Sequence, residues 1–339
     1  VCLIVLRYSE PRALLFMTGV LAIFAIYYFA RMGLSSWQEE HKRSLNPGRY
    51  RILLPIQQDR GMENLIRIGA KIAHAQSDLS MCLLQVVEPQ VSENDETMAA
   101  LERSRQYTLA KFIRHAVERN VPMYAKTVAN LTPAEGIISE LRSDNNVRLL
   151  LFKWPLSESE QAKFNQTAES LINSGLANMG VLFDRGIDRL ENILVPVGGG
   201  FHSKFAIQIV ASLAKADNGT VDIIRIVDEY LDDELYEDQM AYLQEIVMTE
   251  LGDIPGNITL HIIRGNDPAA AIIEETHQRE YDLVVIGSFE GNTHGKHLFG
   301  ELVERVRRGT TTSVLVVRQH ESAPASWLRR QIRASNPRT

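Results

Sequence analysis

Apolar runs of strand length alternate with segments of helix length from about residue 50 to residue 320. Residues 149–151 and 283–286 contain no polar side chain, which is typical of a strand that is covered by helices on both faces. This order predicts an α/β fold with a doubly wound parallel sheet in each half of the chain. The predicted strands are residues 50–56, 79–87, 122–128, 147–153 and 179–183 in the first half, and 192–197, 221–227, 258–263, 283–287 and 313–318 in the second.

The two halves repeat the same local patterns. The first strand reads Ile-Leu-Leu-Pro from Ile52 in one half and Ile-Leu-Val-Pro from Ile193 in the other. Later in each half, Thr-Pro-Ala from Thr132 corresponds to Asp-Pro-Ala from Asp267, and an Ile-Ile pair follows at the same distance. A threonine or aspartate side chain can cap a helix, and proline is tolerated at the first helical position. We therefore predict a duplicated domain, over residues 49–186 and 190–320.

A membrane-length apolar segment precedes this repeat. Residues 13–30 contain no charged side chain, and a helix that rises about 1.5 Å per residue would nearly match a hydrocarbon core about 30 Å thick. Aromatic residues lie at its end and Arg31 follows, which suits a membrane–water boundary. The pattern predicts a transmembrane helix over residues 13–31; a secretory signal and a buried soluble helix are the alternatives.

The charges around this segment predict its orientation. More basic residues follow it (Arg31, Lys42, Arg43, Arg49, Arg51) than precede it (Arg7, Arg12). By the positive-inside rule we expect an inner or plasma membrane protein whose repeated domains are cytoplasmic. Residues 1–12 are interpreted as the end of a preceding membrane helix with a short loop, residues 32–48 as a linker and residues 321–339 as a basic flexible tail. The expected partners are the lipid bilayer, a transmembrane transport domain upstream of this chain and a second copy of the chain in a homodimer.

Composition excludes several classes of function. The net charge of −6 and the absence of a long basic run argue against a nucleic-acid partner. The two cysteines, Cys2 and Cys82, cannot form a disulfide framework or a thiolate metal site. His294 and His297 lie near Glu290 without the fixed spacing of a helical metal site, so we predict no metal. No G-x-S-x-G motif is present, and we predict no catalytic residue and no enzymatic activity.

The second half resembles the universal stress protein family. The resemblance is carried by Asn-Ile-Leu-Val-Pro-Val at residues 192–197, the Asp267-Pro268 helix start, Asp-Leu-Val-Val-Ile-Gly at residues 282–287 and the closing run at residues 313–318. The first half matches in outline only. An apolar helix, a basic linker and two such domains are together similar to the cytoplasmic tail of amino acid permease-type transporters, of the amino acid–polyamine–organocation superfamily.

That resemblance also implies where a nucleotide would bind. Family members that bind ATP have an acidic residue after the first strand and a G-x2-G-x9-G-[ST] loop after the fourth, whose backbone N–H groups surround phosphates. Here Gly198 replaces the acidic residue, Glu290 replaces the second loop glycine, and Glu301 follows Gly300. Because these carboxylates would repel phosphates, the resemblance implies no firmly bound cofactor, and at most weak ATP, AMP or other nucleotide binding. The candidate contacts are Val197, Gly198, Gly199, Gly265, Gly287, Gly291 and Gly300.

The first half is expected to lack this site, since Phe152 stands where Gly287 stands in the second half and Lys153-Trp154-Pro155 follows it. Taken with the membrane segment, these observations predict the cytoplasmic regulatory and dimerisation region of a secondary transporter, namely an amino acid permease. The alternative is a nucleotide- or small-ligand-sensing domain that controls a cation/proton antiporter or a cation–chloride cotransporter.

Overall fold

A computed structural model describes residues 50–56, 61–76, 78–88, 95–120, 122–217, 219–288 and 298–320. The part of the chain from Tyr50 onward is one compact unit. The predicted membrane helix, linker and basic tail lie outside the described residues, as do Gly291 and the histidines near Glu290. Among the helices that are described, none combines the length and the apolar character needed to cross a bilayer.

Strands and helices alternate along both halves, with one direct strand-to-strand connection at the middle of the chain. The first half contains β1 (Tyr50–Pro55), α1 (Met62–Ala75), β2 (Leu79–Val87), α2 (Asp95–Val117), β3 (Met123–Ala129), α3 (Pro133–Ser143), β4 (Val147–Lys153), α4 (Glu158–Ser174) and β5 (Asn178–Phe183). The second contains β6 (Asn192–Pro196), α5 (Phe201–Asp217), β7 (Thr220–Val227), α6 (Asp233–Leu251), β8 (Ile258–Arg264), α7 (Pro268–Gln278), β9 (Leu283–Gly287), α8 (Glu301–Gly309) and β10 (Ser313–Arg318). Every predicted strand is found, to within one residue at each end.

The ten strands of the described residues belong to one sheet, in the order β3-β2-β1-β4-β5-β10-β9-β6-β7-β8. Neighbouring strands are parallel except for β5 and β10, which pair antiparallel with Val181 opposite Val316. The prediction of a separate sheet in each half is therefore wrong. Both β5 and β10 are apolar and almost fully buried, so leaving either as a sheet edge would expose apolar side chains and unpaired backbone groups. Pairing them with each other removes both edges.

Two hydrophobic layers cover the faces of this sheet, and each layer is continuous across both halves. Successive strand residues point to opposite faces, so Ile52 and Ile193 belong to one layer while Leu53 and Leu194 belong to the other. The helices follow the same division. The first layer includes Leu65 of α1, Phe112 of α2, Ile207 of α5 and Leu243 of α6, and the second includes Ile137 of α3, Phe164 of α4, Ile272 of α7 and Val303 of α8.

Helices α3 and α7 begin as their sequences predict. The Thr132 side chain accepts a hydrogen bond from the N–H of Glu135, and the Asp267 side chain accepts from those of Ala269 and Ala270. Each cap satisfies backbone donors that have no partner within the helix. The two prolines follow directly, at the first helical positions.

Candidate functional site

A cavity of about 280 Å³ lies in the second half at the carboxyl ends of β6 and β9. Strand β6 continues in the chain to β7 on one side and is paired with β9 on the other, so the cavity occupies the point where the strand order reverses and where open α/β sheets bind ligands. Its walls are mainly apolar, with a few polar groups. They are formed by Pro196, Val197, Gly198, Gly200, His202, Ser203, Ile226, Pro268, Ile272, Ile286, Gly287, Ser288 and Leu302.

Gly287 sets the distance between β9 and helix α5. A Cβ atom at this position would lie 2.6 Å from the carbonyl carbon of His202 and 2.6 Å from the backbone nitrogen of Ser203. Backbone atoms cannot move aside as a flexible side chain does. The first turn of α5 can therefore approach the strand this closely because residue 287 has no side chain.

The glycine turn between β6 and α5 forms the floor of the site. Gly199 has a φ of +84°, a backbone conformation that residues other than glycine rarely adopt. A Cβ atom there would lie 2.7 Å from the hydroxyl oxygen of Tyr242, so α6 packs directly over the turn. The Ser203 hydroxyl donates to the carbonyl oxygen of Gly200 at 2.7 Å. Ser203 thus tightens the turn between β6 and α5.

Two buried polar side chains close the opposite wall. Ser288 is 6% exposed, its N–H donates to the carbonyl of Val317 at 2.8 Å, and the Arg318 guanidinium lies 3.4 Å from its hydroxyl oxygen. His202 is 5% exposed, and its Nδ1 accepts a hydrogen bond from the N–H of Gln319 at 3.1 Å. A neutral ring with Nδ1 as acceptor carries its proton on Nε2.

The start of α7 is held near the cavity by an ion pair. Arg305 of α8 donates to the Asp267 carboxylate, which also caps α7. The hydrogen bond from Arg305, with those from the backbone N–H groups of Ala269 and Ala270, lowers the pKa of Asp267 from its ordinary value although burial opposes the shift. Pro268 is thereby placed against the cavity.

The structure brings together some of the sequence-predicted contacts and not others. Val197, Gly198 and Gly287 line the cavity, whereas Gly199 lies under Tyr242. The N–H of Gly265 donates to the carbonyl of Val227 in the loop before α7, and Gly300, with a φ of +99°, precedes α8. His202, Ile226, Ile272, Ser288 and Leu302 also line the cavity and were not predicted.

The equivalent crevice of the first half is filled by protein side chains. Ile52 pairs with Leu149 and Ile193 pairs with Leu283, so Lys153 and not Phe152 occupies the position of Gly287. The predicted correspondence between Phe152 and Gly287 is therefore wrong by one residue.

Lys153 points at the start of α1. Its ammonium nitrogen lies 3.5 Å from a carboxylate oxygen of Asp184, and both side chains are nearly buried. Asn64 donates to both oxygens of the same carboxylate, at 3.0 and 3.1 Å. A Cβ atom on Gly61 would lie only 1.6 Å from the Lys153 nitrogen. The side chain therefore occupies the space that is open in the second half.

A sequence model of the universal stress protein family matches residues 189–318. The second half of the chain is therefore a domain of the universal stress protein type, and the first half has the same order of strands. A universal stress protein from Archaeoglobus fulgidus DSM 4304 has a similar structure, with 14% identity, a TM-score of 0.57 and coverage of 80% of this chain and 97% of that one. A protein of unknown function from Pseudomonas aeruginosa PAO1 shares 15% identity, with a TM-score of 0.50 and coverage of 85% and 98%. At these identities the likeness shows the fold alone. No curated protein matches the chain.

Proposed function

We propose that the second half of the chain is a regulatory domain that binds a nucleoside or a nucleoside monophosphate in the cavity between β6 and β9. The observation that carries the proposal is this cavity, which lies at the topological switch point of a universal stress protein domain. Ile226, Ile272 and Ile286 offer apolar surface to a flat ring, while Ser203 and Ser288 offer hydroxyl groups to its polar edge. The volume of about 280 Å³ suits a compact ligand.

Charge limits the number of phosphates that the ligand can carry. Asp228 and Glu229 follow β7, and Glu301 begins α8, at the same edge of the sheet. Lys204, in the first turn of α5, offers a positive charge to a phosphate. The Arg318 guanidinium is already in contact with Ser288. Since phosphates near carboxylates are repelled unless a cation intervenes, we expect adenosine and AMP to bind more tightly than ATP.

One ligand per chain is expected, because Lys153 fills the corresponding crevice of the first half. Removal of that side chain would not by itself create a second site, since Trp154 stacks on Phe183 at 4.6 Å between ring centroids directly beside it.

Calorimetric titration of the full chain with adenosine, AMP and ATP tests the proposal. We expect a stoichiometry near one for adenosine and AMP, and binding of ATP weaker by at least about tenfold, which corresponds to about 1.4 kcal/mol. Gly198→Leu should abolish binding. Gly198 lines the cavity and has open space where a Cβ atom would lie, so a side chain can be added to the lining without displacing neighbouring atoms.

Gly256→Leu is the matched control. Gly256 also has open space at its Cβ position but lies before β8 and away from the cavity lining, so binding should be unchanged. No heat for any of the three compounds at millimolar concentration would refute the proposal. Two sites per chain would refute the role given to Lys153.

A second candidate function rests on the apolar residues 13–30. We propose that the domains form the cytoplasmic regulatory and dimerisation region of a secondary transporter, an amino acid permease, anchored by this segment in the inner or plasma membrane. The basic residues that follow the segment support the orientation. Transport would belong to membrane helices upstream, and this chain alone should move no solute.

Membrane extraction tests the anchor. The full chain should stay with the membrane fraction under alkaline conditions, and Leu21→Arg should release it, because a charged residue at the centre of a membrane helix costs about 2.5–3.5 kcal/mol. Ser36→Arg, outside the apolar segment, is the control and should remain bound. Release of the unaltered chain would contradict the anchor and leave the ligand-binding proposal intact.

A further inference from the structure

The antiparallel pairing of β5 with β10 places the cavity beside the points where the chain enters and leaves the sheet. Strands of the first half run opposite to those of the second. The carboxyl ends of β6 and β9, which form the cavity, therefore lie at the same edge of the sheet as the amino ends of β1, β4 and β5. Tyr50 begins β1 at this edge, and Gln319 and His320 follow β10 there.

A series of contacts joins the cavity to Tyr50. The N–H of Gln319 donates to Nδ1 of the cavity residue His202 at 3.1 Å. The next N–H, of His320, donates to Oδ1 of Asn178 at 2.8 Å. The Asn178 amide in turn donates to the carbonyl oxygen of Arg148 at 3.0 Å. The Arg148 guanidinium lies 3.8 Å from the centroid of the Tyr50 ring.

Asn178 makes this series possible because its amide is both acceptor and donor. Its Oδ1 atom accepts from the segment after β10, which belongs to the second half, and its Nδ2 atom donates to β4 of the first half. An aspartate at this position could accept the first bond but has no N–H group to donate the second. The side chain therefore connects the segment after β10 directly to β4, a strand that is not paired with β10 in the sheet.

The opposite end of the β5–β10 pair provides an internal comparison. There the N–H of Arg185, in the segment after β5, donates to the Ser313 hydroxyl oxygen at 2.9 Å. The register of β5 and β10 makes Ser313 the counterpart of Asn178 and Arg185 the counterpart of His320. This end adjoins the filled crevice of Lys153 and Asp184, so it should not respond to the cavity of the second half.

We propose that ligand occupancy of the cavity is transmitted through His202, the Gln319–His320 segment and Asn178 to Tyr50. This inference rests on the proposed ligand-binding function. A ligand against His202 changes the ring position, and with it the hydrogen bond from Gln319. The chain that precedes β1 attaches at Tyr50, where this series ends, and the chain that follows β10 attaches at His320, within the series, so both respond to the ligand.

Hydrogen exchange of the full chain tests the transmission without a ligand. His202→Phe keeps a ring but removes the acceptor, and we expect amide exchange at Gln319 and His320 to rise about threefold or more, with a smaller rise at residues 50–53. Gly198→Leu, which adds an apolar side chain to the cavity lining, should also change exchange at residues 50–53. In the Asn178→Asp background, which keeps the acceptor for His320 and loses the donor to Arg148, neither substitution should reach residues 50–53.

Ser313→Ala is the matched control and should change exchange after β5 while leaving Gln319, His320 and residues 50–53 unaltered. Asn178→Ala, which removes both hydrogen bonds, serves as a second variant if Asn178→Asp does not fold, which circular dichroism shows. Unchanged exchange at residues 50–53 in both His202→Phe and Gly198→Leu would overturn the inference. So would a change that persists after substitution of Asn178.

Adenosine separates this inference from the proposed function. Heat of binding with altered exchange at residues 50–53, abolished by Asn178→Asp, supports both. Heat without altered exchange refutes the transmission and leaves the binding function standing. If adenosine, AMP and ATP all give no heat, the proposed ligand class is wrong, while the exchange measured for His202→Phe and Gly198→Leu still decides whether a change at the cavity is transmitted.

Discussion

The last residue of the fourth strand is a lysine in the first half and a glycine in the second, and this difference decides which half has a cavity. Gly287 ends β9 and lets the backbone of α5 approach. Lys153 ends β4 at the matching register, and its ammonium group lies beside Asp184 over the start of α1. A single residue type thus separates an open crevice from a filled one.

Substitution of Gly287 by alanine should destabilise the protein by about 1–3 kcal/mol, because the added methyl group meets backbone atoms of His202 and Ser203 that cannot move independently. Gly198→Ala is the control, since a Cβ atom there has no neighbour within 4 Å, and its stability should be nearly unchanged. Urea unfolding of both variants measures the difference. Equal stabilities would mean that the strand and helix can separate at no cost.

Among the elements, α3 and α7 show how far a local motif fixes a helix start. Both have a capping side chain and a proline at the first helical position. They differ in charge, because Thr132 is neutral whereas Asp267 also pairs with Arg305. The start of α7 should therefore depend on pH in a way that the start of α3 does not.

Asp267→Asn should lower stability slightly and reduce its dependence on acid. Asn can still cap the helix, but the charge that Arg305 contacts is lost. The pKa of Asp267 is lowered in the folded protein, chiefly by the hydrogen bond from Arg305. Its contribution is thus fully present above the unfolded value, near 3.8, and is lost as the pH falls through the lower folded value. Thermal unfolding from pH 7 to pH 2 should show the two proteins converging at the acid end; a constant difference would contradict this.

At the scale of the whole molecule, the two halves share a sheet and both hydrophobic layers. The β5–β10 pair joins the strands, and Phe299 of the second half lies 6.5 Å from Trp154 of the first, between ring centroids. Within the part of each half that the structure describes, no core ends at the junction. The halves should therefore unfold together.

A substitution in one half should shift unfolding of the other. Ile223→Ala in β7, at a fully buried site, should cost about 2–5 kcal/mol. Fluorescence of Trp154, in the first half, should report a midpoint lowered as much as that from circular dichroism, in a background with Phe at the other tryptophans, Trp37 and Trp327. Leu83→Ala is the matched control in the same half as Trp154. Leu83 pairs with Leu54 as Ile223 pairs with Val195. If Ile223→Ala leaves the midpoint of the Trp154 transition unchanged, the halves unfold independently.

Local patterns were sufficient for the elements, since continuous apolar runs identified the strands because burial on both faces leaves no polar positions. The candidate contacts Val197, Gly198 and Gly287 came instead from the resemblance to universal stress proteins, and the structure places all three in the cavity lining. Ile226 and Ile272 were missed because a cavity-lining isoleucine has the same sequence pattern as a core isoleucine. His202 and Ser288 were missed because their partners, Gln319 and Arg318, lie far away in the chain.

The sequence by itself determined the order of strands and helices, the repetition of that order in the two halves and the helix caps, since each depends on local patterns within the chain. Only the tertiary structure decided that β5 and β10 join the halves into one sheet, because pairing between strands 135 residues apart is set by the burial of two apolar edges and not by either strand alone. It also decided that Lys153 faces Gly61 and that Asn178 connects β10 to β4. These contacts depend on register across the sheet, which no local pattern specifies.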